Sequence, residues 1–156
     1  MENSEALMNS QKPRGRIFQS DEFEISHLKH CRIESFLSVA CNSDQNPYLF
    51  MLKPVDSYWQ ILFFDSGIAF WEEWGNEEIE DILDEATCVN IFETYNLTDQ
   101  MIENIACLRG PKVQVVTESG VFSLEPIESL ELDCTTRVTY SKCDNSMQPP
   151  SRPSGA

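Results

Sequence analysis

His27-x-x-His30-Cys31, with Cys41 ten residues downstream, is the one cluster in this sequence with metal-ligand chemistry. Histidines at i, i+3 share a helix face, and a thiolate can complete a zinc site. The chain holds only these two histidines, and an isolated pair is also an ordinary surface or core feature. The expectation is therefore no bound metal and no cofactor. No Cys-x-x-Cys pair, Gly-rich phosphate loop or Gly-x-Ser-x-Gly elbow occurs. Carboxylates are plentiful, but an acid–base pair needs a set separation, which abundance does not supply. The reading is a protein that is not an enzyme.

Charge is the stronger signal. Asp and Glu number 26 against 11 Lys and Arg, a net of -15. From Pro54 to Leu108 there are thirteen acids and no base. Such a surface argues against direct nucleic-acid binding through the folded domain, which needs clustered Lys and Arg. Within the block, Glu77, Glu78, Glu80, Asp81, Asp84 and Glu85 form one face of an expected helix. Glu77/Asp81, Glu80/Asp84 and Asp81/Glu85 are like charges at i, i+4, each costing a few tenths of a kcal/mol. One reading is a solvated face that keeps the protein soluble. Another is a docking face for a partner with a basic surface, built on Glu77, Glu80, Asp81, Asp84 and Glu85. A calcium site is a third, but the alternating loop spacing is missing. Trp71 and Trp74 lie near the end of an expected strand, either as core residues or, for one of them, as a partner anchor.

Leu, Ile, Val and Phe make up about a quarter of the chain, enough for a packed core. No apolar run approaches a membrane span and the first residues lack an apolar secretory core, so an intracellular location is expected, with no membrane contact. The six cysteines then read as free thiols rather than a disulfide framework. Residues 1–16 are expected as a flexible, locally basic tail and 143–156 as a Pro-rich disordered tail. One domain over 17–142 lies between them.

Within that domain Ile33 to Ala40, Pro47 to Leu52, Tyr58 to Phe64 and Ile68 to Trp74 read as strands. Tyr58 to Phe64 is apolar on both faces, as a central strand covered on both sides would be. Asp65-Ser66-Gly67 is a turn signal. Asn76 is placed as the N-cap of a helix whose apolar stripe is Ile79, Ile82, Leu83 and Ala86. Thr98 is placed as the cap of a second helix, with Met101, Ile102, Ile105 and Leu108 on its apolar side, Arg109 in its last turn, and Gly110-Pro111 ending it. Lys112 to Thr117, Val121 to Glu125 and Leu130 to Tyr140 read as further strands. The fold class expected is α+β: a mainly antiparallel β-sheet or sandwich with an inserted helix-turn-helix pair.

Phe63-Phe64-Asp65-Ser66-Gly67-Ile68-Ala69-Phe70-Trp71, followed by Glu77-Glu78-Ile79, resembles the head domains of the end-joining scaffold superfamily that includes Cernunnos and PAXX. The expected helix Asp99 to Arg109 and the hairpin Val113 to Leu124 follow the same order, so the resemblance covers some 80 residues. It implies a nuclear, non-catalytic adaptor in DNA double-strand-break repair. Those heads continue into a dimerising heptad stalk, which this sequence does not show, so stalk-dependent dimerisation does not carry over. The alternative is an acidic inhibitor or immunity-type protein that blocks the basic site of a nuclease or other nucleic-acid-binding enzyme.

Overall fold

A computed structural model describes residues 15–40, 46–127 and 136–143. Cys41, Cys134, the extended reading of 130–135 and most of both expected tails lie outside the described residues. The elements are β1 (Gly15–Ser20), β2 (Phe23–Glu24), β3 (Ile33–Ala40), β4 (Leu49–Pro54), β5 (Trp59–Asp65), β6 (Ile68–Trp74), α1 (Asn76–Glu85), β7 (Thr87–Asn90), α2 (Ile91–Thr94), β8 (Ile102–Leu108), β9 (Lys112–Thr117), β10 (Gly120–Pro126) and β11 (Thr136–Lys142). They form a six-stranded sheet ordered β1-β6-β5-β4-β3-β7 and a five-stranded sheet ordered β11-β10-β9-β8-β2. Neighbouring strands are antiparallel throughout.

The two sheets face each other across one apolar core. Phe36, Phe50, Leu52, Leu62, Phe64 and Trp71 come from the first sheet, and Ile105, Val113, Val115, Phe122 and Leu124 from the second. Phe36 and Phe122 meet edge to face across the gap, with ring centroids 5.4 Å apart. On the outer face of the first sheet Val39, Leu49, Met51 and Ile61 are buried together with Ile79 of α1. Ile61 and Leu62, adjacent in β5, are thus both sealed from water, as a strand apolar on both faces requires. The β5–β6 hairpin closes through Ser66 (φ 55°) and Gly67 (φ 78°), two positive φ values that define a type I′ turn.

The antiparallel two-sheet architecture is the expected one, but the helix pair is not there. Asp99 to Arg109 is not a helix: Ile102–Leu108 is strand β8, paired with β9 and β2. A bulge between Ile102 and Asn104 explains the misleading spacing. It places Ile102 and Ile105, three apart, on the same inward side, after which Cys107 resumes the period of two. Leu108, assigned to the helix stripe, is exposed. The segment 25–33 also hydrogen-bonds along β8, with Ile25 N–H donating to Ile105 O and Ile102 N–H to Cys31 O. These pairings fix an extended backbone whatever the local propensity. Gly110-Pro111 lies in the β8–β9 turn instead of ending a helix. The second helical element is the single turn α2, capped by Asn90 Oδ1 accepting from Phe92 N–H and Glu93 N–H at 3.0 and 3.3 Å.

Other boundaries shift by a few residues. Gly15 and Arg16 belong to β1 and not to a tail, because they pair with Glu73 and Glu72 of β6. The strand starting near Pro47 runs on through Lys53-Pro54. The N-cap of α1 is Gly75, whose N–H donates to Glu78 Oε1 at 2.6 Å, and Asn76 is the first helical residue. Between β1 and β3, residues 21–32 form β2 and a loop that buries Ile25 and Leu28 in the inter-sheet core. Thr136 N–H donates to Pro47 O, just ahead of β4, and the Tyr95 hydroxyl, just after α2, donates to Val138 O, tying edge strand β11 to segments beside the first sheet.

Gly120 marks a close approach of β10 to β11. A Cβ there would press on Ser141 O and lie 2.9 Å from both Lys142 Cα and Tyr140 Oη. Gly120→Ala is expected to destabilise by about 1–3 kcal/mol through overpacking against backbone, read as a lowered urea midpoint with unchanged slope.

Candidate functional site

The crossover from β6 to β7 positions the acidic face. β6 and β7 lie four places apart in the first sheet, and α1 spans the gap over the outer face. Its length follows from that span: ten residues at 1.5 Å rise cover about 15 Å, close to the width of the strands crossed. Ile79, Ile82 and Ala86 turn toward the sheet. Leu83, the fourth residue of the expected stripe, falls to one side of that line and is 42% exposed.

The opposite face carries Glu77, Glu78, Glu80, Asp81, Asp84 and Glu85, all exposed. The structure therefore brings the five acidic residues singled out from the sequence onto one surface. Among the described residues none of them forms an ion pair. The pairs present hold other acids: Arg16–Glu72, Lys29–Glu24, Arg32–Asp99, Arg32–Glu118, Lys53–Glu34, Arg109–Asp21, Arg109–Glu22 and Arg137–Glu125. The helix ends differ. Glu77 and Glu78 sit in the first turn, where the helix dipole favours them, whereas Asp84 and Glu85 sit in a last turn that holds no base.

Of the two tryptophans, Trp71 is no anchor. It is 1% exposed, faces the inter-sheet core, and donates its indole N–H to Gln60 Oε1 at 2.7 Å. Gln60 in turn donates to Tyr58 O at 3.1 Å and to Glu73 Oε2 at 3.3 Å. A buried strand with polar side chains on the core side needs such a closed network. Trp74 is half-buried beside α1 and opposite Trp59, and donates to Glu72 Oε1 at 2.9 Å.

Sequence reasoning missed the other occupant of this face. Arg16 lies 5.3 Å over the Phe70 ring, which stacks on Phe63 at 5.0 Å, and pairs with Glu72 at 3.3 Å. The signal was the local basic run Lys12, Arg14, Arg16, which reads as a tail until β1 is known to pair with β6.

No family model, curated protein or solved structure matches this chain.

His27 and His30 do not share a helix face. They are exposed in the loop between β2 and β3, where His30 takes φ 72°. Among the described residues no three His, Cys, Asp or Glu side chains converge in an arrangement that could hold a metal ion. Cys31, Cys88, Cys107 and Cys143 are free thiols. Burial pushes the Cys107 thiol up to about 11 and raises that of Cys88.

Two expectations follow from these charges. Glu85→Lys replaces a like-charge i, i+4 neighbour and complements the helix C-terminus, so it should stabilise by about 0.5–1 kcal/mol in urea unfolding at low salt and by less at high salt. Cys107 keeps its proton longer folded than unfolded. Its contribution is therefore complete below about pH 9 and is lost as pH rises toward 11, on the order of 2–3 kcal/mol. Stability measured from pH 8 to 11 should fall less steeply in Cys107→Ala than in the parent.

Proposed function

We propose that this chain is a non-catalytic protein-binding adaptor that docks a partner with a basic surface through the acidic face of α1. The observation that carries the reading is six exposed carboxylates on one helix, none of them in an ion pair among the described residues. Leaving them unpaired costs helix stability, and a cationic partner would recover that cost on binding. Glu77, Glu80, Asp81, Asp84 and Glu85 are the contact residues. Trp74, half-buried at the N-terminal side of α1, supplies the aromatic anchor beside them.

The finer reading is a nuclear scaffold head acting in double-strand-break end-joining. It is supported by the Phe63 to Trp71 hairpin with Glu77-Glu78-Ile79, and by the Val113 to Leu124 hairpin within a β-sandwich. The segment Asp99 to Arg109 gives it no support, being a strand. The second reading, an acidic inhibitor of a nuclease or similar enzyme, is favoured by the thirteen-to-zero charge block, which mimics a phosphate backbone.

Affinity capture of the tagged chain from nuclease-treated nuclear extract, washed at low and at high salt, separates the readings. The adaptor reading expects end-joining proteins retained at high salt. The inhibitor reading expects one basic enzyme whose turnover is suppressed. In either case Glu80→Gln, Asp81→Asn, Asp84→Asn and Glu85→Gln together should lower the association rate about tenfold or more at low salt. An unchanged rate in this variant would dismiss the acidic face as a docking surface.

A further inference from the structure

Strand β7 closes the first sheet on one side, and among the described residues only β3 pairs with it. Tyr48 N–H donates to Val39 O, so Val39 turns its backbone groups toward β4. Strand alternation then turns those of Ser38 and Ala40 toward β7, where they meet Val89 and Thr87. Cys88, between these two, points its own N–H and C=O away from β3, toward an edge that no described strand pairs.

Side chains on the two faces of this edge differ in kind. Cys88 packs with the outer-face cluster under α1. Val89, next along, faces the other way and is 46% exposed. On the helix side stands the C-terminal turn of α1. Ala86 N–H donates to Ile82 O and Thr87 already begins β7. Asp84 and Glu85 therefore lie within three residues of the strand, at the negative end of the helix dipole. An added strand next to β7 would set alternate side chains on the side where the C-terminal turn of α1 carries those carboxylates, and the others against Val89. The far edge of the same sheet already holds such an arrangement. There β1 pairs with β6, and its Arg16 sits between the Glu72 carboxylate and the Phe70 ring.

We propose that the free edge of β7 accepts an extended basic segment of a protein partner as an added strand. Lysine or arginine on the helix side meets Asp84 and Glu85, and β-branched side chains on the other side cover Val89. The proposal rests on the docking reading above and narrows its partner to an extended peptide with cationic and apolar residues in alternation.

The test uses the full chain and a short synthetic peptide of alternating lysine and valine. Binding is followed by fluorescence anisotropy at low salt and mapped by amide hydrogen exchange. The peptide is expected to bind and to slow exchange at the Cys88 amide. Methylating alternate backbone nitrogens of the peptide keeps its charge but removes strand donors, and should weaken binding about tenfold or more. Val89→Lys should weaken it comparably, with an unchanged urea midpoint. Equal binding of the methylated peptide, or protection confined to α1, overturns strand addition while leaving helix docking intact. Binding indifferent to Asp84→Asn with Glu85→Gln overturns the charge pairing, and no binding overturns the proposal outright. Failure of the docking reading shows separately, as a neutralised α1 that associates with its captured partner at the parental rate.

Discussion

Ile61 and Leu62 are neighbours in β5 and point to opposite faces, and neither can be left in water. Much of the molecule answers that constraint. The second sheet covers Leu62, Phe64 and Trp71 on the inner side. The outer side needs a separate cover, and the chain supplies it at the one place where it must travel from β6 to the far edge of the sheet. A helix is the economical crossover because it buries a stripe while satisfying its own backbone. Ile79, Ile82 and Ala86 are that stripe, so the remaining positions of α1 are committed to solvent by geometry.

Charge is sorted by the same logic. Bases occur before Pro54 and after Leu108, and they pair with acids on β3, on β6 and in loops. The crossover helix lies between, and no base among the described residues pairs with it. Each exposed pair contributes little on its own, yet the sorting leaves one surface with an undivided sign. Fold and electrostatics are therefore coupled: the element that seals the outer core is also the most negative part of the protein.

Strands with strong period-two or doubly apolar patterns were legible in the sequence, and so was the turn at Ser66-Gly67. The acidic helix face was legible as well, because six acids around the stripe Ile79, Ile82, Leu83 and Ala86 fit one period only, although Leu83 itself is exposed. The β8 segment was not. Its bulge spaces Ile102 and Ile105 as a helix would, and the bonds that make it a strand come from Ile25 and Cys31, far away in sequence. Trp71 and Trp74 were indistinguishable by type or spacing. Their fates follow from strand parity, which sends 71 inward to Gln60 and 74 outward to α1. The edge at Val89 was invisible for a related reason: only the strand order shows which strand is last.

The wiring of β1 and β2 has a temporal side. Arg16 meets Glu72, 56 residues further on, and Arg109 meets Glu22 across 87 residues. On a ribosome adding roughly 5–20 residues per second, the first strands emerge seconds before β6 and β8 exist to receive them. Phe18 and Phe23, which stack 4.8 Å apart in the folded protein, lack the strands β6 and β8 through that interval. The nascent chain crosses it while acquiring the long acidic stretch that begins after Pro54, whose self-repulsion opposes association between unfinished copies. Like charges repel along an extended chain as they do on a helix, so the block that lies on α1 counts from the moment it is made.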